Sequence, residues 1–298
     1  MKLKNSLASK LKGNFLIKVV DKNRCILGEG VFWHPERKQL FWFDIIDKKL
    51  FSLSKRISKH WQFQEHISAA GWIDKSSLLI AGENNLFSFN LETMKRENIC
   101  DLEKTNNENR SNDGRADPWG GFWIGTMSKK AELNKGAIYR FYKGKLIKLF
   151  DGITIPNSIC FSKDKEFGFY SDTKKQKIYR QKLNKKTGWP EGKNEIFFNF
   201  SSKNFNPDGM TVDINNNLWC ALWGSSQIVC ISNKGKIIQY LKLPVKQPSC
   251  LSFGGENFET LYVTSASEGL KKSNEKYDGQ TLKINIGIRG NPESRVEL

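Results

Sequence analysis

A strand-rich unit recurs six times along the chain, at intervals of about 40 to 50 residues. The fifth copy, residues 206–223, shows it clearly: a turn at 207–209 enters a short apolar run, a polar turn follows at 215–217, and a second run starts at Leu218. Other copies add a third run with alternating apolar residues. Three or four strands per unit at this period are typical of β-propellers. The sequence therefore predicts an all-β fold, a six-bladed β-propeller.

The first strand of each predicted blade starts at an equivalent place. These start positions are Glu29, residues 68–70, Asn112, Asn157, Asp208 and Ser249. Because the first strand of every propeller blade lies nearest the central axis, the six positions should form a ring around the mouth of the channel. Three of them carry oxygens that suit a hard cation, namely Glu29, Asn157 and Asp208. The ring therefore predicts a metal site in the central channel.

Each start position has a simpler explanation when it is taken alone. Pro207-Asp208-Gly209, Pro156-Asn157 and the glycines around Glu29 are ordinary turn sequences. Their shared phase within the repeat favours a common site, since turns alone do not require acid or amide oxygens at one blade position. The three histidines, His34, His60 and His66, fall outside this ring, so a histidine-rich zinc site is not expected.

We expect residues 1–298 to form one propeller domain, in which residues 1–14 could be a disordered leader. A strand near residues 15–20 is predicted to complete the last sheet and so to remove an exposed edge. The basic N-terminus lacks an apolar core and a small-residue cleavage site, and the chain has no apolar run of about 18 residues. We therefore expect a cytoplasmic protein without a membrane segment, with an amphipathic leader as the alternative.

The net charge of +17 comes from 38 lysines and 10 arginines that are spread over the whole chain. Readers of nucleic-acid bases more often cluster arginine on one element, so we expect no specific nucleic acid but a basic surface that attracts anions. The six cysteines form no C-x-x-C pair and are expected to be buried thiols. No GxSxG, HExxH, P-loop or GxGxxG motif offers a competing catalytic centre.

Four segments resemble blocks of the senescence marker protein-30/gluconolactonase/luciferin-regenerating enzyme-like family, which includes regucalcin and bacterial sugar-lactone hydrolases. They are residues 28–50, 110–127, 206–223 and 248–266. The resemblance implies one divalent metal (Ca, Zn, Mg, Mn or Fe) held by Glu29, Asn157 and Asp208. It also implies that Arg110 and Asn112 bind substrate, and that Asp208 acts as the acid–base residue.

One position departs from the family pattern. Some members carry an acidic substrate contact shortly after the Gly125-Thr126-Met127 motif, where this chain has Lys129 and Lys130. We therefore expect a cationic wall at this side of the pocket, which would favour an acidic sugar.

The leading functional hypothesis is divalent-metal-dependent hydrolysis of a sugar aldonolactone (gluconolactone-, xylonolactone- or arabinonolactone-like) to the aldonic acid. The alternatives are a metal-dependent esterase or phosphotriesterase of the same fold, and a non-catalytic calcium-binding propeller or basic scaffold. The expected partner is a small-molecule sugar lactone, and the expected state is a monomer or a weak homo-oligomer.

Overall fold

The computed structural model describes residues 15–271 and 276–298; the leader expected at residues 1–14 lies outside these residues. The described part of the chain opens with β1 (Ile17–Asp21) and forms six four-stranded antiparallel sheets, the last of which includes β1. Blade 1 contains β2 (Gly28–His34), β3 (Gln39–Asp44), β4 (Lys49–Ser54) and β5 (Ile57–Gln62). Blade 2 contains β6 (Ala69–Trp72), β7 (Ser77–Ala81), β8 (Asn85–Asn90) and β9 (Arg96–Asp101).

The next two blades follow the same order. Blade 3 contains β10 (Asn109–Ala116), β11 (Phe122–Ser128), β12 (Gly136–Tyr142) and β13 (Lys145–Ile153). Blade 4 contains β14 (Pro156–Phe161), β15 (Phe167–Asp172), β16 (Lys177–Lys182) and β17 (Glu195–Asn199), and a short 3₁₀ helix (Ser201–Lys203) leads to blade 5.

Blade 5 contains β18 (Asn206–Val212), β19 (Leu218–Trp223), β20 (Gln227–Ile231) and β21 (Ile237–Lys242). Blade 6 contains β22 (Gln247–Gly254), β23 (Thr260–Ala266) and β24 (Thr281–Asn285), and its fourth strand is β1. Ile17 is paired with Ile284 and Val19 with Leu282. The prediction that an N-terminal strand completes the last sheet is therefore confirmed.

The first strands of the blades form the inner ring of the propeller. Each of β2, β6, β10, β14, β18 and β22 contacts the first strand of the next blade, and β22 contacts β2 to close the ring. Almost every residue of these strands is buried, whereas β5 on the outside is largely exposed. The six-bladed β-propeller predicted from the repeat is confirmed.

Strand β3 shows why the blades need nearly continuous apolar runs. Phe41 and Phe43 pack in one cluster with residues of blade 2, while Leu40 and Trp42 pack in another with residues of blade 6. Since successive side chains of a strand point to opposite faces, a strand in the middle of a blade fills two blade interfaces at once. All six cysteines are free thiols and five of them are buried, as expected.

The C-terminal segment, residues 286–298, crosses one end of the channel. Gly290 forms an isolated bridge with Asp213 of blade 5, and Arg295 forms one with Trp72 of blade 2. Farther on, the Glu297 N–H donates to the Gly120 carbonyl of blade 3 at 2.8 Å. The sequence repeat did not predict this segment, which ties three blades together.

Candidate active site

The five site residues named from the sequence line one cavity of about 310 Å³. Glu29 lies on β2, Arg110 and Asn112 on β10, Asn157 on β14, and Asp208 on β18. All five are buried, with Glu29 and Asp208 only 8% and 3% exposed. Four blades therefore deliver polar side chains to one end of the channel, as the ring of start positions predicted.

Bulges in the inner strands set the direction of these side chains. The pairing register shifts between Glu29 and Phe32 in blade 1, and the inner strands of blades 3, 4, 5 and 6 carry a shift at the equivalent place. A bulge leaves residues unpaired and re-aims the neighbouring side chains. Gly30 in the first bulge has a φ of 56°, and a Cβ there would meet the Ser68 carbonyl oxygen at 2.3 Å. Glycine is therefore required beside Glu29.

A chain of hydrogen bonds joins Arg110, Asn112 and Asn157. Arg110 Nη1 donates to Asn112 Oδ1 at 2.8 Å. Asn112 Nδ2 in turn donates to Asn157 Oδ1 at 2.9 Å and to the Pro156 carbonyl at 3.0 Å. These contacts fix the orientation of the Asn112 amide and connect blade 3 to blade 4 at the cavity wall.

Thr173, just beyond the end of β15, connects blade 4 to blade 5. Its Oγ1 accepts a hydrogen bond from Asn157 Nδ2 at 2.8 Å and donates to the Pro207 carbonyl at 2.7 Å. The Ser158 hydroxyl donates to the Asp208 carbonyl. Because the Asn157 nitrogen is used by Thr173, its Oδ1 is fixed as the group that accepts from Asn112 and keeps a second lone pair.

Two of the three carboxyl groups that line the cavity, those of Glu29 and Asp208, are buried close to like charges. Burial, and after it repulsion from Asp113, raises the pKa of Glu29 to about 8. Burial, followed by repulsion from Glu29 and Asp113, raises the pKa of Asp208 well above its usual value. Within the described chain, neither Glu29 nor Asp208 forms an ion pair with a basic side chain. The attraction of the Arg110 charge lowers the pKa of Glu29 by less than burial and Asp113 raise it.

A divalent cation fits this set of oxygens. Glu29, Asp208 and the oriented Asn157 amide offer carboxylate and carbonyl oxygens, the donors that hard cations prefer. Across residues 15–271 and 276–298, no three His, Cys, Asp or Glu side chains are grouped so that they could hold a metal ion. Only two of the three oxygen donors at this site are carboxylates. No histidine lines the cavity.

Several residues of the cavity wall were not found by sequence reasoning. They lie at, near or just beyond strand ends, and they are Leu27, Met127, Ile155, Thr173, Lys174, Asn206, Trp223 and Glu268. The hairpin pattern of blade 4 indicates the positions of two of them, Thr173 and Lys174. Pro156 is paired with Asp172, so the residues that follow the second strand of blade 4 lie beside the start of its first strand.

The prediction that Lys129 and Lys130 form a cationic wall of the pocket is wrong. Neither residue lines the cavity. The Lys129 ammonium pairs with Glu83 and donates to the Asn107 carbonyl at 2.9 Å, whereas Lys130 is exposed to solvent. Lys129 is drawn away because β11 ends at Ser128 and the next turn brings its side chain to the carboxylate of Glu83.

A second cavity, of about 170 Å³, lies at the other end of the inner strands. It is lined by later residues of β10, β14 and β18, among them Arg115 and Thr211, and by residues of the C-terminal segment. Arg115 Nη1 lies 3.5 Å from a Glu293 carboxylate oxygen. Arg115 also donates to Thr211 Oγ1 at 3.1 Å and to the Leu251 carbonyl at 3.0 Å. The charges of Arg115 and Glu293 are therefore paired within the protein.

The chain is a six-bladed propeller with a polar cavity at one mouth of its channel and a C-terminal segment across the other end. The sequence profile described as "SMP-30/Gluconolactonase/LRE-like region" matches residues 27–267. The chain belongs to this family. No helix in the described part of the chain is long and apolar enough to cross a membrane.

Comparison with individual proteins agrees with the family assignment. A solved structure described as the calcium-binding protein regucalcin, from Agrobacterium tumefaciens, is 35% identical, covers 95% of this chain and 98% of its own, and superposes with a TM-score of 0.93. A pentonolactonase of Haloferax volcanii is 28% identical over 94% of this chain and 98% of its own length. A 6-deoxy-6-sulfogluconolactonase of Pseudomonas putida is 27% identical over 86% and 88%.

Proposed function

We propose that this protein is a divalent-metal-dependent hydrolase that opens a sugar aldonolactone to its aldonic acid. The observation that carries the proposal is the convergence of Glu29, Asn157 and Asp208 with Arg110 and Asn112 in one buried cavity. The volume of about 310 Å³ is at the small end of the range for small-molecule sites, which suits a monosaccharide lactone. Relatives named as lactonases support this substrate class.

Glu29, Asn157 and Asp208 would hold the cation, of which Ca²⁺, Mg²⁺ and Mn²⁺ suit the oxygen donors best. When bound, such an ion supplies Lewis acidity that polarises a lactone carbonyl and favours negative charge on its oxygen. The protein contributes the preorganisation. Hydrogen bonds from Asn112 and to Thr173 fix the Asn157 amide, and the bulges hold the two carboxylates at the mouth.

Asp208 is the proposed general base and acid. It takes a proton from the water that attacks the carbonyl carbon, and it returns that proton to the ring oxygen when the ring C–O bond breaks. The product is the open chain with a new carboxyl group and a free hydroxyl. The Ser158 hydroxyl donates to the Asp208 main-chain carbonyl and so fixes the backbone that carries this carboxylate.

Arg110 and Asn112 are proposed to position the sugar. Arg110 Nη1 is bonded to the Ser111 carbonyl and to Asn112 Oδ1, both at 2.8 Å. The remaining N–H groups of the Arg110 guanidinium donate no hydrogen bond to any other described residue. These groups can therefore donate to substrate oxygens and hold the lactone in a reactive orientation.

A pH-drop assay over gluconolactone, xylonolactone and arabinonolactone tests the proposal, with and without chelator and with metals added back. We expect metal-dependent acid release from at least one lactone. Replacement of Asp208 by Ala should lower kcat/KM by about a hundredfold to ten-thousandfold, since a general acid–base group is lost. Undiminished turnover in a folded Asp208→Ala protein would contradict the assignment of Asp208 as the general base and acid. Aryl esters and phosphotriesters belong in the same panel, because faster turnover of these would favour the esterase alternative.

A non-catalytic calcium-binding propeller is the second candidate. It is favoured by the oxygen-only donor set and by the description of the solved relative as a calcium-binding protein. Calcium binding by calorimetry together with no turnover of any lactone or ester, with any added metal, would favour this function.

A further inference from the structure

The charged groups of the cavity wall are not balanced once a divalent cation is bound. Such a cation offsets the carboxylates of Glu29 and Asp208. The remaining charged residues that line the cavity are Arg110, Lys174 and Glu268. Two cations and one carboxylate would therefore face a substrate, and the loaded site would be attractive to an anion.

Arg110 and Lys174 differ from nearby cations, which are paired. Lys129 pairs with Glu83, and the Lys175 ammonium lies 3.4 Å from an Asp172 oxygen. In the described chain, neither Arg110 nor Lys174 forms an ion pair. Arg110 is only 8% exposed. A charge removed from water without a partner is unfavourable, so a ligand that brings the opposite charge would be favoured here.

The backbone around Lys174 is fixed at the cavity rim. The Lys174 N–H donates to Asp172 Oδ1 at 3.2 Å, and the Thr173 N–H donates to the Ile155 carbonyl at 3.1 Å. Lys174 itself is exposed, so its ammonium extends from an anchored backbone at the mouth of the site. This residue is suited to contact the part of a substrate that lies away from the buried carboxylates.

Glu268 lies on another side of the mouth. It follows β23 in blade 6, whereas Lys174 follows β15 in blade 4, and blade 5 lies between them. A substrate with one anionic end would be attracted toward Lys174 and repelled from Glu268. The two charges would therefore set the direction in which the substrate enters as well as its charge class.

We propose that Lys174, together with Arg110, selects a lactone that carries a further anionic group such as a carboxylate, phosphate or sulfate. The inference rests on the lactonase function proposed above and names its substrate class. Lys174 is a specificity-determining residue at the rim, and Asp208 performs the same ring opening on neutral and anionic lactones.

The test uses the metal-loaded protein and matched lactones. Gluconolactone is the neutral probe, and the anionic probes are gluconolactone phosphorylated on its primary hydroxyl and glucarolactone, which keeps a free carboxylate. The measured quantity is the ratio of kcat/KM for an anionic probe to kcat/KM for gluconolactone. It is compared in wild type, Lys174→Ala, Lys174→Arg and the control Lys175→Ala, which removes a neighbouring paired lysine outside the cavity lining.

We expect a wild-type ratio above one that falls about tenfold in Lys174→Ala, because a charge-assisted contact is lost. Lys174→Arg should keep most of the ratio and Lys175→Ala should keep all of it. Added salt should lower the wild-type ratio, since the contact lies near solvent. A wild-type preference for neutral gluconolactone, or equal ratios in Lys174→Ala and Lys175→Ala, would overturn the inference while the lactonase function stands. Failure of the wild type to open any lactone would overturn both.

Discussion

The same inner strands build both ends of the central channel. Among the described residues, a largely buried carboxylate is paired with an arginine at one end, whereas the buried carboxylates at the other end form no ion pair. Early residues of β2, β14 and β18 place Glu29, Asn157 and Asp208 at one mouth, where no described basic side chain pairs with the carboxylates. Later residues of β10 place Arg115 at the other end, where Glu293 of the C-terminal segment lies 3.5 Å away. One strand of blade 3 therefore supplies both a site wall and a structural ion pair.

This difference distinguishes the candidate site at Glu29 and Asp208 from the structural ion pair of Arg115 and Glu293. At the closed end, Glu293 also accepts a hydrogen bond from the Ser252 hydroxyl at 3.0 Å, so its charge is satisfied inside the protein. At the open end, the raised pKa values of Glu29 and Asp208 reflect burial first, then repulsion from Asp113 for Glu29 and from Glu29 and Asp113 for Asp208. A buried acid without a partner is unfavourable for folding, and such groups are concentrated at functional sites.

The largest expected effect is at the open end. A divalent cation at a hundredfold excess over its Kd should raise the free energy of unfolding by about 3 kcal/mol. Glu29→Gln should remove most of this increase, because one carboxylate ligand is lost. The metal-free Glu29→Gln protein should be at least as stable as metal-free wild type, since the change removes an acid whose ionised form is disfavoured by burial and by Asp113. Urea unfolding with chelator and with added Ca²⁺ or Mn²⁺ measures both quantities.

Glu293→Gln is the matched control for this experiment, because it makes the same chemical change at the closed end. It should retain the full increase in stability on metal addition. An increase in Glu29→Gln equal to that of wild type would contradict the assignment of Glu29 as a metal ligand.

An intermediate effect is expected for Thr173. It contacts Asn157, a proposed metal ligand, and Pro207, which precedes the proposed ligand Asp208. Thr173→Val keeps the shape but removes the bonds to Asn157 Nδ2 and the Pro207 carbonyl. Loss of an outer hydrogen bond that orients a metal ligand typically weakens affinity 10- to 100-fold, so we expect the Kd for Mn²⁺ to rise about tenfold. Isothermal titration calorimetry measures this value, and Thr173→Ser should restore it.

Thr264→Val is a suitable comparison for Thr173→Val. Thr264 is a buried threonine of blade 6 whose Oγ1 accepts from the Ser249 hydroxyl at 3.0 Å, and it lies outside the cavity lining. This variant should lower stability without changing the Kd for Mn²⁺. A Thr173→Val protein that binds Mn²⁺ as tightly as Thr264→Val does would show that Thr173 has only a structural role.

The smallest expected effect is at the closed end. Glu293→Gln leaves the Arg115 charge without its carboxylate, although Arg115 keeps its bonds to Thr211 and Leu251. We expect a loss of about 1 to 2 kcal/mol in the free energy of unfolding, with or without metal. The kcat/KM of the folded variant should match that of wild type. A tenfold loss of kcat/KM with unchanged stability would instead assign a role in catalysis to this end of the channel.

The six blades were predictable because each is made from local antiparallel hairpins. Turn residues and apolar runs are close in sequence, so their spacing reports the strand order directly. The positions of Glu29, Asn157 and Asp208 were predictable for a related reason. Equivalent residues of a repeat occupy equivalent places, and in a propeller the first strands share one axis.

Contacts between loops and blades were not predictable in this way. Lys129 follows a site motif in sequence, yet its ammonium pairs with Glu83 of another blade. Lys174 belongs to no motif, and the hairpin pattern places only its backbone beside the start of β14, whereas the structure shows that the residue lines the cavity. Side chains beyond the strand ends are directed by their neighbours in space, which the repeat does not specify.

The sequence by itself determined the strand repeat, the six blades, the closing N-terminal strand and the ring of polar start positions, since each depends on local pattern and period. Only the tertiary structure decided which charges are paired. It closed one channel end with Glu293 and Arg115, left Glu29 and Asp208 without a basic partner in the described chain, and placed Lys174 at the rim. The physical reason is that pairing depends on distances of a few ångströms between residues far apart in the chain.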